Sequence, residues 1–382
     1  MPTAEAELLG VVDGAAIEHL AVRDDGSVVA AGQAGYRGSQ TGHSRFDNLW
    51  VSAFAEEGGL LWEQAIPVPE NEFDERSVTD LSVGSDGSVF ISVVDDSDVP
   101  VSDNAVSKFA ADGTPLWTTI LPSRPRGVAA TGNGGAIAVG LELAQDAPGF
   151  VYGWAAHLDS LGAIVSTRTW VNPDGRGTLF DSVTASDEHG FLIGGSWGTS
   201  PQSSQAQAWL LWVDDDLQTL AEILLPASGG TDRVPELRLN ADGSGLALVD
   251  VDVGVGVGVG VGVGVGVGVK TLVTVSAEAA ILSTVAIDPD LTLHSPYSSA
   301  GYLGTEHPNC DFDVVDPTNT CNVTEFVNIE DEQRQWEVAI DGCHLRATHA
   351  MSAEAAVVSF HCLVLSGDDS IASAQLHRIQ LP

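Results

Sequence analysis

The chain has 382 residues, 44% of them hydrophobic and 18% charged, which excludes a disordered polymer and is enough to build a large core. Fifteen Lys and Arg stand against 53 Asp and Glu, a formal net charge of −38, so nucleic acid and anionic membrane surfaces are repelled rather than bound. An acidity of this size serves solubility before it serves any particular cation.

Met1-Pro-Thr-Ala carries neither the basic start nor the apolar run of a secretory leader, so an exported chain is expected to have lost its leader. Ala6 to Val12 reads as a short apolar strand with no hairpin partner beside it. Its expected partner is at the other end of the chain, where Ile371 to Leu381 forms a third strand and a fourth is missing. Joining the two ends in one sheet would remove two exposed edges.

Between these ends one unit repeats. In Val78 to Pro122 the residues Leu81, Val83, Val89, Ile91 and Val93 alternate with small or polar neighbours, and Asp86-Gly87 and Asp112-Gly113 separate the runs. Period-two alternation broken by Asp-Gly predicts antiparallel hairpins, because tight turns need residues that accept positive φ. The first turn of the unit recurs at Gly26, Gly87, Gly134, Gly190, Gly243 and Gly301, spaced by 47 to 61 residues, with a degenerate copy near Ala353. Four strands per unit at this period predict propeller blades, as in WD40-like repeats. The expected blades are 14–68, 76–122, 124–172, 176–227, 231–288, 289–340 and 341–382 together with 5–12. They make one all-β, seven-bladed β-propeller of four-stranded antiparallel blades, its ring closed by the N-terminal strand.

Phe54-Ala-Glu-Glu-Gly58 followed by Trp62, and Phe109-Ala-Ala-Asp-Gly113 followed by Trp117, share a turn and a tryptophan at fixed distance; Trp336-Glu-Val-Ala-Ile repeats Trp62-Glu-Gln-Ala-Ile. In these motifs the chain resembles the bacterial propeller repeats of the pyrroloquinoline-quinone type. The resemblance implies that Trp62, Trp117 and Trp336 pack between adjacent blades. Units three, four and five carry Ser, Ala and Ser near that place. No set of quinone ligands is recognisable, and the branch expected is non-enzymatic.

In Val249 to Lys270 valine fills every odd position to 269 and glycine the even positions from 254 to 268. Residues 253–269 are read as a low-complexity insertion forming one long hairpin with an odd loop, which sets Val opposite Val. A slip by two residues costs little in such a repeat, so partial disorder is expected. Val and Gly are poor helix formers, and a membrane span is not expected.

The four cysteines form two local pairs. Cys343 and Cys362 lie equidistant from the turn at Ser352-Ala353, at Cα separations that suit a disulfide. Cys310 and Cys321 are expected to close an acidic loop by a second bridge. Two bridges place the protein outside the cytoplasm: secreted, periplasmic or at a cell surface. Zinc is the rival reading, since His344 and His361 are also opposed, but neighbouring strand residues point to opposite faces. Within the loop, Asp311, Asp313, Asp316 and Asn319 could converge on calcium, although the spacing is not that of an EF-hand. Asp95, Asp96, Asp98 and Asp103 form a weaker cluster of the same kind.

Gly194-Gly-Ser196-Trp-Gly198 matches the nucleophile-elbow pattern, but no helix can follow it in Thr199-Ser-Pro-Gln, so Ser196 is read as part of a strand. No catalytic residue is assigned. The sequence thus predicts a monomeric binding or scaffold module taking a protein or carbohydrate ligand on its loop-bearing face, with no cofactor unless calcium. The alternative is a cofactor- or calcium-dependent enzyme of the quinoprotein-like propeller type.

Overall fold

The computed structural model describes residues 5–13, 15–34, 48–66, 76–95, 104–144, 150–173, 176–186, 190–199, 206–226, 232–239, 243–252, 268–276, 279–287, 291–296, 302–306, 324–328, 333–338, 343–352, 355–366 and 369–380. They contain only strands and turns, arranged as seven four-stranded antiparallel sheets. Sheet I holds Ala15–Val22, Val28–Ala34, Asn48–Phe54 and Leu60–Ile66, and sheet II holds Arg76–Val83, Val89–Asp95, Ala105–Phe109 and Pro115–Ile120. Sheet III holds Arg124–Ala130, Ala136–Leu143, Val151–Leu158 and Ile164–Trp170, and sheet IV holds Gly177–Ser186, Gly190–Thr199, Gln207–Val213 and Thr219–Leu224. Sheet V holds Arg233–Leu239, Gly245–Asp252, Gly268–Val275 and Ile281–Ile287, and sheet VI holds Leu291–Pro296, Tyr302–Glu306, Thr324–Asn328 and Gln333–Val338. Sheet VII joins Cys343–Ser352, Ala355–Ser366 and Asp369–Gln380 to the N-terminal strand Glu5–Asp13, with Val11 opposite Gln375.

The turns form where the sequence supplies the right chemistry. Gly26, Gly87, Gly134, Gly190 and Gly243 all have positive φ, the conformation a side chain resists and glycine does not. Asp25, Asp86 and Asn133 accept backbone N–H bonds two residues on, from Ser27, Ser88 and Gly135, the local bonding that makes Asx residues turn formers. The turn between third and fourth strands uses Gly113 and Gly162 at positive φ, but Leu217 and Ala279, both at φ 60, in sheets IV and V.

Burial follows the order of strands. In sheets I to IV the third strands are almost wholly buried, Asn48–Phe54 and Ala105–Phe109 among them, whereas fourth strands such as Leu60–Ile66 and Pro115–Ile120 alternate between exposed and half-buried positions. The apolar clusters do not sit within single sheets. Val51, Val29 and Ala53 of sheet I pack with Leu81, Ile91 and Val93 of sheet II. In the same way Ile137 and Trp170 of sheet III join Phe180, Trp209 and Leu211 of sheet IV. Phe180 stacks on Trp209 at 5.2 Å between ring centroids and meets Trp170 edge-on, so the facing sides of sheets III and IV are dry because each covers the other. The first strands of sheets I to V pack side by side in sequence, sheet VII packs on sheet I, and sheet VI packs on sheet VII. Leu9 and Leu376 of sheet VII enter the apolar cluster of sheet I, and Gly59 N–H donates to Leu9 O.

Residues 253–267, inside the Val-Gly tract, lie outside the described residues, as do Cys310, Asp311, Asp313, Asp316, Asn319 and Cys321. Up to the edge of the tract the register sets Val251 opposite Val269 and Asp252 opposite Gly268. Cys343 is the register partner of Cys362, and His344 of His361; the side chains of all four are outside the described set.

Candidate functional site: an arginine-lined cavity among the first strands

Every first strand carries the same irregularity. The register with the second strand skips one position between Ile17 and His19, Val78 and Asp80, Pro125 and Gly127, and Phe180 and Ser182. The same skip occurs between Arg233 and Glu236, Leu293 and Ser295, and Leu345 and Ala347. Such a bulge leaves one residue unpaired and re-aims its side chain. The unpaired residues are Glu18, Thr79, Arg126 and Asp181 in sheets I to IV, Val234 or Pro235 in sheet V, and His294 and Arg346 in sheets VI and VII.

Glycine makes room for the bulge in sheets I, III and IV. A Cβ on Gly32, Gly140 or Gly195, each paired with the residue before the bulge, would lie 2.0, 2.0 and 1.9 Å from the carbonyl oxygens of Ala16, Arg124 and Leu179. Backbone oxygen cannot retreat from such contact, so these positions admit no side chain.

The residue after the bulge ties its sheet to the next one. His19 Nε2 bonds Val78 O at 3.2 Å, Asp80 accepts from Val128 N–H at 2.8 Å, and Ser182 Oγ donates to Val234 O at 2.7 Å. Burial lowers the His19 pKa from 6.5 to about 4, opposed by the backbone bond to Val78. Burial raises the Asp80 pKa from 3.8 to about 7, opposed by N–H donation from Val128 and Leu81. In both groups the dry setting favours the neutral form.

Where sheets II to V meet, the bulged residues open onto a cavity of about 330 Å³, lined by Ser77, Thr79, Val94, Arg124, Pro125, Arg126, Leu141, Asp181, Arg233 and Pro235. It lies at the end of the sheets where first strands begin and second strands run out, as Val94 and Leu141 show. Asp181 is the hub. Its Oδ1 accepts from Arg126 Nη1 at 2.8 Å and from Arg233 Nη2 at 2.8 Å, and its Oδ2 accepts from Arg233 Nε at 3.2 Å. The Asp181 side chain is 3% exposed, whereas those of Arg126 and Arg233 remain 39% and 42% exposed. Among the described residues three guanidinium groups and one carboxylate line the walls, and two of the guanidinium groups share that carboxylate in a chain of net charge −38. Period-two reading misses this site, because the bulge breaks alternation at these residues. A signal was present all the same: Glu18, Thr79, Arg126 and Asp181 stand eight or nine residues before the turn glycine of their units.

Of the residues singled out in the sequence, Trp62, Trp117 and Ser196 do not line this cavity. Trp62 Nε1 donates to Ala111 O and Trp117 Nε1 to Ser160 O, each acceptor lying in the third-to-fourth-strand turn of the next sheet. Trp336 has the same register, immediately after the skipped residue of a fourth strand. Ser166, Ala221 and Ser283 occupy that position in sheets III, IV and V. Without a tryptophan there, sheet III reaches the next turn through Arg168 Nη1, which donates to Leu217 O at 2.6 Å. Ser196 lies inside the strand Gly190–Thr199, fully buried, with Oγ donating to Asp232 O at 2.8 Å. An engaged hydroxyl within a sheet is no exposed nucleophile. Among the described residues no three His, Cys, Asp or Glu side chains converge as a metal site requires, and none of the helices a membrane span would need is present among them.

Comparison with known proteins places the fold and nothing finer. No family model matches the chain, and no curated protein does. The C-terminal WD40 domain of Sif2 superposes with TM-score 0.54 at 9% identity, covering 100% of both chains. The WD40 domain of SCAP from fission yeast gives TM-score 0.44 at 8% identity over 98% of each chain. A protein of unknown function from Bacteroides caccae gives 0.43 at 12% identity over 81% of this chain and 93% of that one. The Sif2 likeness establishes a propeller-type fold; identity this low carries no function with it.

Proposed function

We propose that the chain is an extracytoplasmic binding or scaffold module, a seven-bladed propeller whose ring is sealed by the N-terminal strand and whose ligand, protein or carbohydrate, docks on the face where second strands end. The observation that carries the binding reading is the open, polar cleft lined by four consecutive sheets on that face. Seven sheets support the blade count, and the pairing of Glu5–Asp13 with Asp369–Gln380 supports closure. The tryptophan bonds from Trp62 and Trp117 to the neighbouring turns support kinship with the quinone-type bacterial repeats. The opposed register of Cys343 and Cys362 supports a disulfide there and hence an oxidising compartment,. A second bridge between Cys310 and Cys321, calcium held by Asp311, Asp313, Asp316 and Asn319, and a monomeric state complete the proposal.

Closure is tested by the double substitution Val11→Cys with Gln375→Cys, register partners across the two chain ends. A crosslinked peptide joining positions 11 and 375 is the expected product, and its absence under oxidising conditions removes the closed ring. Intact mass with and without reductant should differ by four hydrogens if both native bridges exist. The binding role is tested by screening purified protein on peptide and glycan arrays; a specific hit that is lost when cavity residues are changed is expected. A quinone chromophore copurifying with the protein, or turnover that needs added calcium, would replace this reading with the quinoprotein-like enzyme.

A further inference from the structure

We infer that the cavity among sheets II to V binds a small organic anion, its carboxylate held by the guanidinium groups of Arg126 and Arg233 and its carbon skeleton against Val94 and Leu141. This rests on the propeller reading above and adds to it the chemical class of a ligand.

The charge distribution comes first. Only fifteen basic residues serve the whole chain, yet two of them, Arg126 and Arg233, converge on Asp181 in this one cavity, and among the described residues of its walls Asp181 is the acidic one. An arginine brought into a wall is costly unless its charge is matched. Asp181 matches one of the two guanidinium charges bonded to it, and the other is left over. A structural ion pair would need one guanidinium for one carboxylate; this arrangement has a surplus.

Donor geometry comes second. A guanidinium fork carries more N–H donors than a shared carboxylate can accept. Asp181 takes Nη1 of Arg126 and the Nε and Nη2 of Arg233, and both side chains keep about 40% of their surface open. The bonds to Asp181 fix the orientation of both forks, so an incoming carboxylate meets donors whose rotamer freedom is already lost.

Shape comes third. A bare inorganic anion needs only charge, but Val94, Leu141 and two prolines form the other side of the space. About 330 Å³ is the low end of small-ligand pockets and sufficient for a compact di- or tricarboxylate. The negative field of the whole chain opposes anions at long range and is screened beyond roughly 10 Å at ordinary salt, so the local surplus decides binding at the site.

The test is calorimetric titration of the full chain with succinate and citrate at low ionic strength, with inorganic phosphate and hexaglutamate as comparison probes. Succinate or citrate should bind at one site per chain. Arg126→Gln and Arg233→Gln should each weaken that binding roughly tenfold through loss of charge-assisted donors. Asp181→Asn should tighten it several-fold by removing the competing negative charge. The opposite signs separate ligand binding from a purely structural trio, which would change the melting temperature and leave affinity alone. Circular dichroism confirms folding of each variant, and Asp181→Asn retains a test should an arginine variant fail to fold. Unchanged affinity in folded variants overturns the inference, as does the absence of any heat with succinate and citrate. Phosphate bound as tightly as either carboxylate overturns the organic body, and hexaglutamate bound more tightly than both overturns the small ligand. Should no probe bind while the 11 to 375 crosslink forms, the inference falls and the propeller stands; should the crosslink fail, the fault lies in the propeller itself.

Discussion

In sheets I to IV the first and fourth strands carry the same defect and put it to opposite use. In the fourth strands the register skips Leu61, Leu116, Val165, Leu220 and Leu282 in sheets I to V. All five are apolar and between 52% and 60% exposed. In the first strands the skipped residues of sheets I to IV are Glu18, Thr79, Arg126 and Asp181. A bulge only turns a side chain away from its ladder; what it turns toward decides the chemistry. On the outer edge it delivers an aliphatic group to water, where single exposed leucines are ordinary. On the inner edge it delivers polar groups to a confined space shared with neighbouring sheets, where each finds a partner or surrounds a cavity. The inner bulge is therefore locked by its surroundings and the outer one is not.

Substitution opposite an inner bulge should break this contrast most strongly. Gly195→Ala would set a Cβ 1.9 Å from Leu179 O, and a loss of roughly 3 kcal/mol is expected in urea unfolding. Gly140→Ala should do the same in sheet III. A Gly195→Ala protein as stable as the parent would show that the inner bulge can relax like the outer one.

The groups beside the inner bulge should give stability a two-sided pH dependence. His19, lowered to about 4, contributes stability present above its unfolded value of 6.5 and lost as pH falls through 4. Asp80, raised to about 7, contributes stability present below 3.8 and lost as pH rises through 7. Unfolding of Asp80→Asn between pH 4 and pH 8 should show a gain over the parent that grows with pH, on the order of 2 kcal/mol. A gain independent of pH would mean that Asp80 is not titrating in this window. His19→Gln should flatten the acid limb instead.

A smaller effect belongs to a tryptophan bond from a fourth strand to the next turn. Trp117→Phe keeps the ring against Phe90, at 5.9 Å between centroids, and loses the bond to Ser160 O, for a cost of about 1 kcal/mol. The least change is expected at the outer bulge itself. Leu220→Ser and Leu61→Ser should alter stability by less than about 0.5 kcal/mol, and a larger loss by thermal melting would reveal a partner for these side chains.

The architecture was legible because turns and alternation are local. Asp-Gly at 86–87 and 112–113 and the runs around Val89 and Leu116 predict the hairpins of sheet II, and the same pattern locates the other sheets. The cavity was not legible, because a bulge inserts a residue that breaks alternation. The first strand of sheet V reads from sequence as Leu237 to Leu239 and extends over Arg233–Leu239, with its bulge hiding the first half. Trp62 and Trp117 were marked by their motif, whereas Arg168, which reaches the next turn from sheet III, has no such mark.

The sequence by itself determined the all-β class, the repeat and the positions of the turns, since each depends on the φ preferences and side-chain alternation of neighbouring residues. Only the tertiary structure decided that Arg126, Asp181 and Arg233, more than fifty residues apart in successive units, meet at one point. Their bonds run across the gaps between sheets, and no local preference of the chain specifies which side chains meet there.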